Sequence, residues 1–540
     1  MENKFLYDNK NIFNKKYEEE NKEYKCCGRS ELALKLRKQK INEKVGKNRV
    51  SKLKNPYEKE FGNKEISKLN ELSKNLGEKN NANSTIEILD KLYFFLINFK
   101  DPIKLNYIES SKIITTLYTK MTTFKDKEII ITKIFDVFEQ LIRLITFFDN
   151  EDKICLIFND QYYQLLFRLI DYYQKNNVII GKIFNFLSNL VEKSDNLKAY
   201  LMTKPGFFFT QALFSLDTKY PLYFIKLMYS FCFCNNINDQ TMKDFQIMFA
   251  EKCNKIISLF YQVNHSEPKD VINNSFLFRK LYKCISFISQ CEHKEILDIF
   301  LINGNDVTLL EKILAFEKFD KDHLTEEALK LIGNLYCSSD IRYIQSLIEL
   351  NCHQYVMNEL TQGFNKNNIL ENAAWAMSNF VNIEQYRRIF IKNGYLKDLM
   401  ILLKKINSYE VLNEILSIIL NIFNSIYEVE IYSFTDCDIP GSLVDLLKNI
   451  KEPNLISKIL AIIQIILIKG DPNCYLDHYY KYTDDKITNV YLYQFEYCGL
   501  YDVLNYIAIT NKHETVSGLA QGIIEHFFLY NNNDKIIDDL

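Results

Sequence analysis

Three stretches of this sequence share one pattern: ALKLIGNLYCSSD (328–340), AAWAMSNFVN (373–382) and EILSIILNIFNS (414–425). Each stretch has apolar residues at helical spacing, and each carries asparagine at one register. The three asparagines, Asn334, Asn379 and Asn421, are 45 and 42 residues apart. A fixed period of this length indicates a helical repeat.

A second pattern lies between these stretches, and it consists of a turn residue followed by apolar residues at helical spacing. Its copies are NGNDVTLLEKIL (303–314), NCHQYVMNEL (351–360), NGYLKDLMILL (393–403), DIPGSLVDLL (438–447) and CGLYDVLNYI (498–507). Most successive copies are about 42 to 48 residues apart, which matches the period of HEAT and armadillo repeats. The sequence therefore predicts an all-α armadillo-repeat right-handed superhelix, an α-solenoid in which each repeat buries its apolar face against its neighbours.

The register of Asn379 can be followed upstream. Asn189, in GKIFNFLSNLVEKSDN (181–196), occupies the equivalent position, as do Phe231, Phe287 and Thr146. The longer interval between Phe231 and Phe287 is explained by an insertion at 262–275, which is polar and contains proline. We expect about nine to ten repeats over residues 86–530, preceded by a linker at 55–85 and followed by a short acidic tail at 531–540.

Composition supports this class of protein. Among 540 residues, 47% are hydrophobic, yet only 15 are Gly and 8 are Pro, as expected for closely spaced helices. No apolar run reaches the length of a membrane span, and LAIIQIILIKG (460–470) fits a buried helix. The charged N-terminus has no signal-peptide core, so we expect a soluble intracellular protein without membrane insertion.

Motifs for chemistry are missing from the sequence. The thirteen cysteines are scattered, which favours buried free thiols in a reducing compartment over zinc or disulfides. There is no HExxH, no phosphate-binding loop and no nucleophile elbow. We therefore expect a protein that is not an enzyme and that holds no metal and no cofactor.

Charge is unevenly distributed along the chain. Residues 29–54 contain ten basic and two acidic residues, a net charge of +8, while residues 1–28 sum to zero. Because the whole chain carries −2, the remainder carries −10. Leu32, Leu36 and Lys40 recur at helical spacing, so a basic N-terminal helical extension is joined to an acidic body. Such a helix suits an acidic groove of a protein as well as it suits phosphate.

These features together resemble the importin-α family of armadillo adaptors. RSELALKLRKQKINEKVGKNRV (29–50) is similar to the family's importin-β-binding segment, and residues 327–382 resemble its sixth and seventh repeats. The stretch EYCGLYDVLNYIAITNKHETVSGLAQGIIEHFF (496–528) is similar to the closing repeat. The resemblance implies a nuclear import adaptor that shuttles between cytoplasm and nucleus. Its implied partners are an importin-β-like carrier, cargo with basic localisation signals, and an export receptor at the C-terminal repeats.

The resemblance also implies two sets of site residues. In the family, a Trp and the Asn four residues later form one rung of a groove, so that Trp375 holds the stem of a Lys or Arg and Asn379 bonds the peptide backbone. The implied signal-peptide groove comprises Asn189, Lys330, Asn334, Trp375, Asn379 and Asn421. The implied carrier-binding residues, after a tail at 1–28, are Arg29, Leu32, Leu36, Arg37, Lys38, Lys40, Lys44, Lys47 and Arg49.

This sequence also departs from the family's pattern. The tryptophan position holds Asn185, Leu227, Lys283 and Ser417 in other repeats, so the early repeats have lost the family's main site. Three hypotheses remain open: a divergent import adaptor, an armadillo scaffold that has lost transport, and a nucleic-acid binder. The acidic body and the absence of aromatic residues among the basic ones disfavour direct nucleic-acid binding. Trp375 itself is either ordinary core or part of an exposed rung.

Overall fold

The computed structural model describes most of the chain beyond residue 61. The described residues are 62–99, 103–146, 157–202, 221–232, 239–263, 275–290, 293–302, 307–317, 321–338, 340–362, 366–425, 428–471 and 489–529. The predicted tail at 1–28, the carrier-binding segment at 29–54 and the acidic tail at 531–540 lie outside these ranges. Most of the predicted insertion at 262–275 lies outside them as well. Within them, the chain forms two compact units, residues 62–328 and 329–529.

The first unit consists of helices and one pair of two-residue strands. The elements that begin in it are α1 (Asn63–Glu78), α2 (Ala82–Ile97), β1 (Ile103–Lys104), α3 (Leu105–Ser111), α4 (Ile113–Thr123), α5 (Glu128–Leu144), β2 (Ile145–Thr146), α6 (Asp160–Tyr172), α7 (Asn177–Lys193), α8 (Asp195–Met202), α9 (Pro221–Phe231), α10 (Asp239–Val263), α11 (Ser275–Ile288), α12 (Lys294–Leu301), α13 (Leu309–Glu317) and α14 (Lys321–Leu335). The strands pair in parallel, with Ile103 opposite Ile145. The division between the units falls inside α14.

The second unit continues the helical pattern. After the end of α14 it contains α15 (Ile341–Glu349), α16 (Cys352–Gln362), α17 (Asn367–Phe380), α18 (Glu384–Lys392), α19 (Tyr395–Leu403), α20 (Tyr409–Ser425), a 3₁₀ segment (Glu428–Cys437), α21 (Ile439–Asn449), α22 (Pro453–Lys469), α23 (Val490–Tyr497), α24 (Leu500–Thr510), α25 (Glu514–Ile523) and a π-helical turn (Ile524–Leu529).

Long helices from successive repeats stack on one another within each unit. In the first unit α2, α5, α7, α9 and α11 pack in this order, and in the second unit α17, α20, α22 and α25 do so. Long helices bury apolar residues on more than one face, as in α22, where Leu460, Ile465 and Ile466 point in different directions and are all buried. A helix with two apolar faces needs a neighbour on both sides, which explains the repetitive stack.

The predicted turn residues mark the junction between the two short helices of a repeat. Gly394 and Gly499 have φ of 70° and 80°, and Asn351 and Asp438 have φ of 52° and 47°. Each of these four residues directly precedes the helix formed by one copy of the turn-containing pattern. The left-handed backbone conformation costs little energy for glycine and is tolerated by Asn and Asp. These residue types therefore occur where the chain reverses direction. The all-α armadillo arrangement predicted from the sequence is confirmed.

Two predicted boundaries differ in the structure. The predicted linker at 55–85 contains α1, whose Leu69, Leu72 and Leu76 are buried against the following helices. These leucines recur at helical spacing, so they form one apolar face. Thr146, predicted at the asparagine position of a long helix, lies instead in β2, because α5 ends at Leu144.

A buried lysine fixes the end of α1. Lys120, on α4, is only 3% exposed, and its Nζ donates to the carbonyl oxygens of Gly77, at 3.2 Å, and of Lys79, and to Asn80 Oδ1. The last carbonyl groups of a helix have no partner within the helix and carry partial negative charge. Lys120 supplies both the hydrogen bonds and the opposite charge at that helix end.

Candidate functional site

One face of the second unit combines three of the six predicted groove residues. We define the Trp375 face as Lys330 of α14, Glu371 and Trp375 of α17, and Glu414, Ser417 and Asn421 of α20, all of which are half-buried. Their spacing along each helix is three or four residues, or a multiple of it, so they follow one edge of each helix. Because α17 and α20 pack side by side, this edge is continued from one repeat to the next.

Trp375 is held against the backbone of the preceding long helix. A Cβ atom added to Gly333 of α14 would lie only 2.0 Å from Trp375 Cζ3 and 2.5 Å from Cε3. The indole therefore packs directly on the glycine backbone, where no other residue type leaves enough room. Trp375 is neither fully enclosed core nor a freely exposed surface residue: its ring packs on α14, and the side chain as a whole is half-buried.

Asn379 forms a hydrogen bond between two helices. The sequence predicts an exposed asparagine that bonds a peptide, but Asn379 is 3% exposed, and its Nδ2 donates to the Gly333 carbonyl at 2.9 Å. In a regular helix that carbonyl would accept from the amide nitrogen of Cys337. Here the Cys337 amide donates to the backbone carbonyl of Asn334 instead. Asn379, together with the Cys337 thiol at 3.5 Å, thus satisfies a carbonyl that has no helical amide partner at the end of α14. Its peptide-binding role stays a prediction, and the small accessible surface restricts it.

The other predicted groove residues are distributed over both units. Asn334, directly after Gly333, is also 3% exposed, whereas Lys330, one turn earlier, is half-buried. Asn421 is half-buried on α20. Asn189 is half-buried on α7 and belongs to the first unit. The structure thus brings Lys330, Trp375 and Asn379 together around Gly333.

The charges of the long helices were not recognised from the sequence. The two helices that carry most of the Trp375 face, α17 and α20, contain Glu371, Glu410 and Glu414 but no Lys or Arg. In the first unit, α9 and α11 show the opposite pattern, with Lys226, Arg279, Lys280 and Lys283 but no Asp or Glu. The pair α17 and α20 in the second unit and the pair α9 and α11 in the first unit therefore carry charges of opposite sign. Counting charge helix by helix, rather than over the chain, would have revealed this.

A ladder of lysines connects neighbouring long helices and was also missed. Lys133 of α5 bonds Asp90 of α2, and Lys182 of α7 bonds Asp136 of α5. In the second unit, Lys458 of α22 donates to Asn413 Oδ1 at 2.7 Å and to Ser417 Oγ at 2.9 Å. The signal in the sequence is a lysine that follows a polar residue by about one repeat length.

The thiols in the described residues are consistent with packing. Cys232, Cys253, Cys284, Cys337 and Cys352 are buried thiols, whereas Cys437 and Cys498 are half-buried. Burial raises the pKa of the Cys253 and Cys284 thiols well above the ordinary value, so both are protonated at neutral pH. Within the described ranges, no group of three or more His, Cys, Asp or Glu side chains is arranged to hold a metal ion.

In the part of the chain that the structure describes, every helix is too short or too polar to span a bilayer.

Comparisons with known proteins bear on the fold. No family model matches the chain. No curated protein matches it in sequence. Among solved structures, it is similar to an engineered protein from a structural genomics consortium, with a TM-score of 0.60 and 14% identity, covering 85% of this chain and 98% of that one. At this identity the similarity supports the fold alone.

Two further solved structures are more distant. A designed armadillo repeat protein in complex with the peptide (KR)4 matches with a TM-score of 0.31 and 18% identity, over 56% of this chain and 98% of that one. A structure from work on the interaction between cadherin and β-catenin has a TM-score of 0.38 and 11% identity, over 85% and 94%. Scores this low carry no structural argument. The stacked helices and their period define this chain as an armadillo-repeat solenoid.

Proposed function

We propose that this protein is a nuclear import adaptor that binds basic localisation-signal peptides along the Trp375 face. One observation carries the proposal: a half-buried indole is fixed on Gly333 of α14, and the two long helices that carry most of the Trp375 face, α17 and α20, contain acidic but no basic side chains. A rigid aromatic surface that shares its face with the carboxylates of Glu371 and Glu414 suits a chain of Lys or Arg residues. The indole holds an aliphatic stem, and the carboxylates attract the cationic group at its end.

The energetic contributions can be assigned to particular side chains. Stacking of a Lys or Arg stem on Trp375 contributes roughly 0.5 to 2 kcal/mol, and more when the pair excludes water. Because Gly333 already fixes the indole, little conformational entropy is lost when the peptide binds. Glu371, one turn before Trp375, and Glu414 of α20 steer a cationic peptide towards this face and make its binding sensitive to salt.

Replacing Trp375 by Ala should weaken binding of a (Lys-Arg)4 peptide to the full chain by about tenfold or more, equivalent to about 1.4 kcal/mol. Isothermal titration calorimetry measures the effect. Asn379→Ala should weaken binding less, because Asn379 acts mainly through Gly333. Tyr493→Ala is the matched control, since Tyr493 is 72% exposed on α23. Unchanged affinity in Trp375→Ala, or an equal loss in Tyr493→Ala, would place the peptide elsewhere.

The basic segment at 29–54 supplies the second part of the proposal. It binds an importin-β-like carrier because a segment with net charge +8 is attracted into an acidic groove, and the complex shuttles between cytoplasm and nucleus. An export receptor at the C-terminal repeats would return the adaptor. This assignment rests on the resemblance of residues 29–50 to the importin-β-binding segment.

Reversing Arg37, Lys38 and Lys40 to Glu should abolish capture of an importin-β-type carrier from cell extract by a residue 1–60 bait. The change removes three positive charges and adds three negative ones at the centre of the segment. Reversal of Lys4, Lys10 and Lys15 in the same bait is the control of equal charge change and should retain the carrier. If carrier capture survives the first reversal, the segment has another use.

The alternative is an armadillo scaffold that has lost transport. It is favoured by the tryptophan position of other repeats, where Asn185, Leu227, Lys283 and Ser417 stand. Peptide binding at Trp375 without any carrier bound by residues 29–54 would establish this alternative.

A further inference from the structure

The second helix of the first unit leaves two large apolar side chains in contact with water. On α2, Phe94 is 63% exposed and Ile97 is 44% exposed. They lie three residues apart in the last turn of the helix, so they share one edge of it. Single exposed apolar residues are common on protein surfaces and carry no meaning by themselves. Phe94, however, also lines a groove.

The groove lies between α1 and α2 and has a volume of about 380 Å³. Its lining residues are Lys68 and Leu72 of α1, Lys91, Phe94 and Phe95 of α2, and Asn98, which directly follows α2. Only three residues join the two helices, which pack against each other as an antiparallel hairpin. The start of α1 therefore lies beside the end of α2, where Phe94 and Ile97 are.

The apolar part of this surface is small. Exposed ion pairs accompany it along both helices, between Lys68 and Glu71 at 2.9 Å and between Lys91 and Glu87 at 2.6 Å. A stable interface between two copies of a protein buries about 800 Å² on each partner. Two exposed apolar side chains beside a narrow groove suit a short segment better than a second copy.

The chain itself supplies such a segment at this place. Helix α1 begins at Asn63, directly after its N-cap Gly62, and the residues before Gly62 lie outside the described ranges. Residues 55–61 have the sequence NPYEKEF, with the aromatic residues Tyr57 and Phe61 four positions apart. Seven residues of extended chain span up to about 23 Å, whereas packed helices lie about 8 to 10 Å apart. The segment can therefore reach the groove from the start of α1.

We propose that residues 55–61 of this chain dock in the groove between α1 and α2, with Tyr57 and Phe61 covering Phe94 and Ile97. Removing these aromatic rings from water supplies the favourable free energy. Closing the loop costs little, because the segment is joined directly to α1. The docked segment covers the outer surface of the first described helix pair, as the terminal repeat of a solenoid requires.

The charges of the segment fit the same groove. Glu58 and Glu60 flank Lys59 in the segment, and Lys68 and Lys91 line the groove. Exposed ion pairs such as those of the two lysines are weak, so their ammonium groups can also attract the glutamates of the docked segment. Docking holds the end of the basic segment at 29–54 on the first unit. The inference does not depend on what that basic segment binds.

Trypsin cleavage after Lys59 tests the docking in the full chain, because the protease needs this segment to be released from the groove. Phe94→Ser should accelerate cleavage after Lys59 by about tenfold or more, since the rate follows the released fraction. Cleavage after Lys44, measured by mass spectrometry in the same sample, is the internal reference and should not change. Phe167→Ser is the matched control, because Phe167 is 38% exposed on α6 of the same unit, and it should alter the rate after Lys59 by less than about twofold.

Three results would overturn the proposal. The first is equal cleavage after Lys59 in the parent and in Phe94→Ser. The second is the same acceleration in Phe167→Ser, which would indicate general loosening of the unit. The third is a rate that falls as the protein concentration rises, because a second copy would then cover the groove.

Should Phe94→Ser unfold, as judged by circular dichroism, Phe61→Ser decides alone. Each rate after Lys59 is then divided by the rate for a synthetic peptide of residues 50–66 with the same change, which removes any direct effect on trypsin. Cleavage at least about threefold faster than in the parent supports the docking, and an unchanged ratio refutes it.

Discussion

Replacing Gly333 by Ala is expected to lower the apparent free energy of unfolding by about 1 to 3 kcal/mol, although alanine is the better helix former. The added methyl group would lie 2.0 Å from Trp375 Cζ3, well inside van der Waals contact. Either the indole leaves its position or α14 and α17 separate, and both responses disturb the Asn379 hydrogen bond to the Gly333 carbonyl. Urea titration followed by circular dichroism measures the effect.

Two variants serve as controls for this prediction. Gly518→Ala, on α25, places a methyl group in open space and should stabilise the protein by roughly 0.5 to 1 kcal/mol. Adding Trp375→Ala to Gly333→Ala should cost less than the sum of the two single changes, because the clash is removed. Additive costs, or a Gly333→Ala variant as stable as the parent, would mean that Trp375 does not pack on this glycine.

Replacing Lys120 by Met is expected to destabilise the first unit by about 1.5 to 3 kcal/mol, since hydrogen bonds from a charged donor are lost. Methionine retains an apolar stem of similar shape, so the change isolates the ammonium group. The carbonyl oxygens of Gly77 and Lys79 at the end of α1 would lose this buried donor. The same urea titration measures the loss.

Lys74→Met on α1 is the matched control for this change. The Lys74 side chain is 78% exposed and makes only a long contact to Glu78, so its replacement should alter stability by less than about 0.5 kcal/mol. If Lys120→Met were as mild as Lys74→Met, the end of α1 would not depend on the buried lysine.

The fold was predictable because its signals are local and repeated. Turn residues such as Asn351 and Gly394 recur at the repeat period, and their positive φ follows from residue type. The apolar spacing of each long helix likewise predicts which faces are buried. Helix α1 was missed because its leucines lie within a polar stretch that carries no copy of the repeat.

The site was only partly predictable, because its geometry depends on contacts between repeats. The sequence places Trp375 and Asn379 on one helix edge, but the burial of Asn379 results from an open carbonyl on Gly333, 46 residues earlier. The lysine ladder depends on the same kind of relation: Lys226 bonds the neutral Asn185 of the preceding long helix, whereas Lys182 bonds Asp136. The sequence pattern within one repeat does not contain information about contacts between neighbouring repeats.

The single tryptophan allows the central claim to be tested directly. Trp375 is the only tryptophan in the chain, so its fluorescence emission reports on this face alone. Titrating (Lys-Arg)4 peptide into the full chain should give a saturable change in tryptophan emission, whereas octaglutamate should leave the emission unchanged. The concentration dependence should agree with calorimetry on the same sample. If calorimetry shows binding of (Lys-Arg)4 while the emission stays constant, the basic peptide does not bind at Trp375 and the proposed site is wrong.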